Sequence, residues 1–246
     1  MADNAITDEG GANMARLGSL CIRLDVAYNN LGCAGVNNLA RHLDAPNLLH
    51  LSLRDNEILV DGAFALARAI HKGAVPNMKS LNLRQNQILV EGVTAVCEAL
   101  MGHSSIEAVD FRENSIHQGG MDAVAELVKA KSLKALAICR NDIGDAGAKV
   151  IADACMAVDS IEMLLISMCK IGEKGGQPLL TLVKKKPKIV AVAVKDNLMG
   201  GMKRQLIEDK VLENKNGGPK KLSHLDMMMQ SWVAAEMMNA ESSDGD

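Results

Sequence analysis

Six histidines, six cysteines and a set of arginines lying among carboxylates are the residues of this sequence that could do chemistry. The histidines at 42, 50, 71, 103, 117 and 224 fall at unrelated positions, and none has another at metal-ligand spacing. They read as surface or turn residues. The cysteines at 21, 33, 97, 139, 155 and 169 form no CxxC and no paired spacing. In a reducing compartment they would stay thiols, and they read as small apolar fillers. Neither a GxxxxGK[ST] phosphate loop nor a GxSxG elbow occurs, and IGEKGG (171–176) reads as the start of a helix. KKKPK (184–188) has the composition of a nuclear-localisation cluster but falls in a loop, where solvated lysines are ordinary. The chain is therefore expected to be no enzyme, with no cofactor, no metal and no small-molecule substrate.

What remains is recognition chemistry. Arg23, Arg54 and Arg112 lie close in sequence to Asp25, Asp55, Asp110 and Glu113, Arg84 stands between them, and the single tyrosine, Tyr28, follows the first pair. Arginine offers a planar fork of donors to carboxylates, and tyrosine gives a rigid amphipathic anchor. These residues could form a solvated face that neutralises itself, since exposed ion pairs are individually weak. They could equally be a surface for a protein partner.

The elements that must position them repeat. Asn29, Asn56, Asn86, Asn114, Asn141, Cys169 and Asn197 follow one another at steps of 27, 30, 28, 27, 28 and 28 residues. A fixed period in this range is the signature of a solenoid. Apolar residues precede each anchor by eight, five and three positions, as Met78, Leu81 and Leu83 precede Asn86. The last two alternate as a strand with one buried face requires. Two residues after each anchor stands another aliphatic, followed by glycine and then an alanine-rich stretch of helical period, as in GAFALARAI (62–70). Each repeat predicts a strand, a turn and a helix, with seven parallel strands centred near 24, 51, 81, 109, 136, 164 and 192.

The pattern LxxLxLxxNxI followed by an alanine-rich helix resembles the leucine-rich repeat of the ribonuclease-inhibitor type over roughly residues 4–212. That resemblance implies an α/β leucine-rich-repeat solenoid, a horseshoe with a parallel sheet on the concave side and helices on the convex side. It implies an asparagine ladder bonding backbone between turns, with Cys169 a tolerated substitute at one rung. It also implies protein binding. Members range from inhibitors and sensors to cytoskeletal and ciliary assembly proteins, and Ran GTPase-activating proteins share the repeat type.

With the strand leucines facing the core, the alternate positions face the hollow. In the first four repeats these are Arg23, Asp25 and Tyr28; His50, Ser52, Arg54 and Asp55; Asn82, Arg84 and Gln85; Asp110, Arg112 and Glu113. Arg54, Arg84 and Arg112 form one column, expected to be exposed. In the last three repeats they are Ala135, Ala137 and Cys139; Met163, Leu165, Ser167 and Met168; Ala191, Ala193 and Lys195. This half is apolar, and such a patch is expected to be covered by the chain's own final segment or by a partner.

Composition bounds the rest. Of 246 residues 48% are hydrophobic, 23% charged and only 2% aromatic, so the core must be aliphatic. A net charge of −3 from interleaved acids and bases offers no field for nucleic acid or an anionic membrane. No apolar run approaches the roughly 20 residues that span a bilayer, and the acidic start MADNAITDEGG is unlike a secretory signal. A cytoplasmic protein is expected; a cytoskeletal or axonemal setting follows from the resemblance, and the lysine cluster leaves a nuclear one open.

Three segments are expected. Residues 1–213 form the solenoid, a half-repeat at NAIxxxG (4–10) plus seven repeats; the half-repeat covers the first strand's open end. NKNGGPKK, residues 214–221, is a linker. Residues 222–246 carry Leu222, Leu225, Met229, Trp232 and Met237 on about one helical face, then an acidic, disordered end. That face would either cap the solenoid or dock on another chain. The leading functional expectation is a non-enzymatic protein-protein interaction module, a scaffold or assembly subunit holding its partner in the concave face; a GTPase regulator is the alternative.

Overall fold

The computed structural model describes residues 4–130 and 132–217. Seven three-residue strands, β1 (Arg23–Asp25), β2 (His50–Ser52), β3 (Ser80–Asn82), β4 (Ala108–Asp110), β5 (Ala135–Ala137), β6 (Met163–Leu165) and β7 (Ala191–Ala193), form one sheet. Strand order equals chain order and every pairing is parallel, with Leu24, Leu51, Leu81, Val109, Leu136, Leu164 and Val192 in one row. These seven residues are the strand centres expected from the repeat.

A helix follows each strand: α2 (Gly32–His42), α3 (Leu59–His71), α4 (Leu89–Met101), α5 (Met121–Val128), α6 (Gly144–Met156), α7 (Glu173–Lys185) and α8 (Gly201–Gly217), with α1 (Gly11–Leu20) ahead of β1. One apolar core lies between the strands' leucine row and the helices, continuous from Met14 to Val211. Phe111, fully buried, is its aromatic member, and the remainder is aliphatic with a few cysteines.

The asparagines hold neighbouring repeats together. Asn86 is fully buried. Its Oδ1 accepts from the Asn56 and Ile58 N–H groups at 2.9 and 3.4 Å. Its Nδ2 donates to the carbonyls of Leu53, Leu83 and Arg84 at 2.9, 3.0 and 3.1 Å. An amide is suited to this place because it supplies donor and acceptor together to backbone that water cannot reach. Asn29, Asn56, Asn114, Asn141 and Asn197 repeat the arrangement. Cys169 keeps only half of it: its Sγ donates to Ile138 and Ser167 carbonyls at 3.3 and 3.4 Å. Lacking an amide oxygen at that rung, the Ile143 N–H turns to the Asn141 carbonyl of its own repeat, at 2.9 Å.

The turn has a fixed backbone signature. The residue before each anchor, Tyr28, Asp55, Gln85, Glu113, Arg140, Met168 or Asp196, has φ between 52° and 59°. Three residues after the anchor, Gly32 and Gly144 take φ 58° and 61°, where Leu59 and Leu89 are held at 57° and 56°. At the front, the Ile6 N–H donates to Asn29 Oδ1 at 3.1 Å and the Asn30 N–H to the Ile6 carbonyl at 3.0 Å, which ties the segment ahead of α1 to the first turn.

At the other end α8 runs to Gly217, past the break expected from residue 214. Asn214 is the reason: it is buried, and its Nδ2 donates to the Val183 and Ile189 carbonyls at 3.0 and 3.2 Å, tying the last turn to the preceding repeat. The segment carrying Leu222, Leu225, Met229, Trp232 and Met237 lies outside the described residues.

Candidate interaction face on the strands

The strand residues flanking the leucine row point away from the core, and along this face burial changes from repeat to repeat. Arg23 and Asp25 on β1 are exposed; His50, Ser52 and Arg54 around β2 are half-buried. Arg84, Asp110 and Arg112 in the next two repeats are 2%, 0% and 2% exposed. The arginine column exists, but its centre is buried, contrary to the expected exposure.

Burial is tolerable because the charges are paired. Arg112 Nε lies 3.0 Å from both oxygens of Asp110 and a terminal nitrogen lies 2.6 Å from Oδ2. The pair is local: Asp110 Oδ1 also accepts the Arg112 N–H at 3.0 Å, the turn that Asn82 makes to Arg84 and Asp25 makes to Ala27. Arg84 bonds Glu113 on the next repeat through Nε at 2.8 Å and through a terminal nitrogen. Arg140 approaches the same Glu113 oxygen at 3.8 Å. Arg140 was missed in the sequence because it sits one position closer to the anchor than the other arginines, at the place that Glu113 itself holds in the preceding repeat.

Arg54 is different. Its guanidinium lies over the Tyr28 ring, 4.5 Å from the centroid. Its Nε is buried without a hydrogen-bond acceptor, as are one terminal nitrogen of Arg84 and Nε of Arg140. Burial first, and then the neighbouring Arg84, pull Arg54 below its ordinary pKa, with Tyr28 and Asp110 acting in the opposite sense. Tyr28 itself is exposed. Asp55 is half-buried, and Glu113 is half-buried between two arginines.

Across the last three repeats the face is apolar as expected, and it is closed. Ala108, Ala135, Ala137, Cys139, Met163 and Leu165 form a second apolar cluster separate from the main core, each at most 2% exposed, with Ala191 and Ala193 packed at its edge. Met168 is half-buried at its rim.

Two histidines depart from the expected surface positions. His103 is buried, its Nε2 2.7 Å from the Val75 carbonyl. His50 Nδ1 lies 2.8 Å from Ser80 Oγ across β2 and β3. That distance suits a base and a nucleophile, but both residues' backbone N–H groups are bonded within the sheet, to the Ile22 and Leu49 carbonyls, and supply no oxyanion donors. Among the described residues no three of His, Cys, Asp and Glu gather closely enough to hold a metal ion. Lys186, of the expected nuclear-localisation cluster, is engaged structurally, its Nζ 2.7 Å from Asp159 and 2.8 Å from the Val158 carbonyl. No helix of the described residues is long and apolar enough to cross a membrane.

A family model described as leucine rich repeat matches residues 44–67, 76–97 and 129–152, three segments that each join strand or anchor to helix. This chain is a leucine-rich repeat protein. Among solved structures, the leucine-rich repeat chain is similar to actin-binding site 2 of leiomodin-1, with 17% identity, TM-score 0.53, and 73% of this chain and 96% of that chain covered. It is also similar to the tropomodulin C-terminal domain of Caenorhabditis elegans, with 13% identity, TM-score 0.54, and 64% and 93% covered. At these identities the likeness is one of fold. No curated protein matches the sequence.

Proposed function

We propose that this leucine-rich repeat chain is a non-enzymatic protein-interaction module, a scaffold or assembly subunit, and that its partner binds the strand face at the β1–β2 end. One observation carries the reading: Arg54 is held in place by the Tyr28 ring while its Nε has no acceptor. A positioned, desolvated and incompletely bonded arginine beside an exposed aromatic is the arrangement of a binding hot spot. A carboxylate from a partner would complete the fork and relieve the repulsion from Arg84. Arg23 and Asp25 at the exposed margin would set orientation more than affinity.

The test compares capture from native extract by wild type, Arg54→Glu and Tyr28→Ala, each confirmed folded by circular dichroism. The expected result is one or more proteins retained by wild type and lost at least tenfold with both variants. Identical captured sets would place the partner elsewhere on the molecule. Because the fold is shared with actin-binding site 2 of leiomodin-1, purified actin is the first defined partner to assay, by co-sedimentation.

A further inference from the structure

Gly32, Leu59, Leu89 and Gly144 occupy one place, three residues after an anchor, and each N–H donates to the next anchor's carbonyl at 2.9 to 3.1 Å. All four are left-handed there, which glycine adopts freely and leucine does not. The leucines gain little burial in return: Leu59 and Leu89 are 42% and 41% exposed. Half-buried Val60 and exposed Phe64, four apart and so on one side of α3, continue the apolar surface. Val60 Cα lies 3.7 Å from the point where a Cβ on Gly92 would stand, so the surface runs on to α4, where half-buried Val90 follows Leu89. Backbone strain kept at exposed apolar side chains is a mark of functional surfaces.

Carboxylates surround it. Residues 55–67 and 85–101 carry Asp55, Glu57, Asp61, Glu91 and Glu98 and no lysine, arginine or histidine. Glu57, Asp61 and Glu91 are exposed, and none has an ion-pair partner among the described residues. Asp61 and Glu91 also suit the positive ends of α3 and α4, but Glu57 precedes its helix. The repeat of Gly144 differs on both counts. There Asp142, at the place of Glu57, pairs with Lys170 of the following repeat at 2.6 Å, whereas the residue at the corresponding place beyond Glu57 is Gln87.

We propose that Leu59, Leu89 and the apolar residues beside them dock an amphipathic helix of a partner protein, its aliphatic row flanked by lysines or arginines. Charge selects that occupant. A second copy of this face, or an anionic membrane, would set like charges against Glu57, Asp61 and Glu91, whereas a basic rim neutralises them. Spacing selects a helix, whose side chains at i, i+3 or i+4 stand about 5–6 Å apart, close to the strand step of about 4.8 Å between the two repeats. This surface follows the anchors, while Arg54 and Tyr28 precede them, and it stands whether or not a partner uses the strand face.

The probe is a fluorescent peptide of leucine and lysine arranged with helical period, read by anisotropy. Its controls are a leucine–glutamate peptide of the same pattern and a scrambled leucine–lysine peptide. Wild type should bind the probe at least tenfold more tightly than either control. Leu59→Gly with Leu89→Gly removes the side chains and relieves the backbone. It should lower the affinity at least tenfold while circular dichroism stays that of a folded solenoid, and Tyr28→Ala should leave the affinity as it is. No binding, equal affinity for either control, or undiminished binding by the folded double variant would overturn the proposal. A loss with Tyr28→Ala instead would place the peptide on the strand face and overturn it as well. Should the double variant unfold, a photoreactive leucine in the probe decides on wild type. Cross-links within 57–64 or 87–94 support the proposal; cross-links confined to other segments, or none, overturn it.

Discussion

Arg84 and Glu113, 29 residues apart in sequence, form an ion pair across adjacent repeats with the guanidinium side chain 3% exposed and the carboxylate 26% exposed. Charge reversal at Arg84 is therefore a stability experiment. Arg84→Glu would leave two carboxylates facing each other and a new charge without solvent. Removing one partner of a buried pair costs about 3–5 kcal/mol. Glu113 keeps some water, so a loss of about 2–3 kcal/mol is expected for Arg84→Ala, with a larger loss for Arg84→Glu, read by chemical denaturation. Unchanged stability in both would mean that the pair contributes nothing.

The asparagine ladder makes a paired prediction. Asn86→Ala should destabilise by about 1–3 kcal/mol, because it strands buried donors and acceptors on two repeats. Cys169→Asn should do the reverse, raising stability by about 1 kcal/mol if the restored amide oxygen takes back the Ile143 N–H. Thermal melts of the two single variants check both signs; a destabilised Cys169→Asn protein would show that the smaller thiol is required by packing.

Leu59 and Leu89 hold left-handed backbone angles and are 42% and 41% exposed, at the position where Gly32 and Gly144 stand in other repeats. A non-glycine residue there is strained by about 1–2 kcal/mol. Leu89→Gly should therefore cost less than about 1 kcal/mol or stabilise slightly, whereas an ordinary core leucine loses several on truncation. A loss above about 2 kcal/mol would mean that the half-exposed side chain packs more strongly than its exposure indicates.

Glu107 lies between Lys134, at 2.9 Å, and Lys79, at 3.4 Å, linking three consecutive repeats just ahead of β3, β4 and β5. Partial burial acts to raise its pKa, but the two lysines together bring it below the usual carboxylate value. A depressed carboxylate contributes stability that is present above its unfolded pKa and is lost as pH falls through the folded one. Melting temperature should decline on acidification below that range, and Glu107→Gln should flatten the decline. The effect is modest because the group remains partly solvated. An identical acid limb in both proteins would remove Glu107 as a contributor.

The repeat made the strand centres and the asparagine anchors legible, because a period of 27 to 30 residues with an alternating apolar pair admits few other folds. The burial of Arg84 and Arg112 was not legible. Strand alternation says which way a side chain points and says nothing of what lies above it. Arg140 was hidden for a related reason: its place in the repeat differs from the other arginines and is the one that Glu113 holds in the preceding repeat. The end of α8 was misplaced because asparagine and glycine read as a break, while Asn214 in fact bonds the preceding repeat.

The half-bonded rung at Cys169 bears on how the molecule comes apart. Every asparagine ties only adjacent turns, so cohesion along the axis is a chain of nearest-neighbour links, and such a chain parts first at its weakest one. Between Asn141 and Cys169 the thiol sends its bond back to Ile138, while the amide-oxygen link to Ile143 is missing. Residues beyond that point, including α7 and α8, would fray together as one unit. Amide exchange should show a step in protection there instead of a smooth decline towards the last repeat.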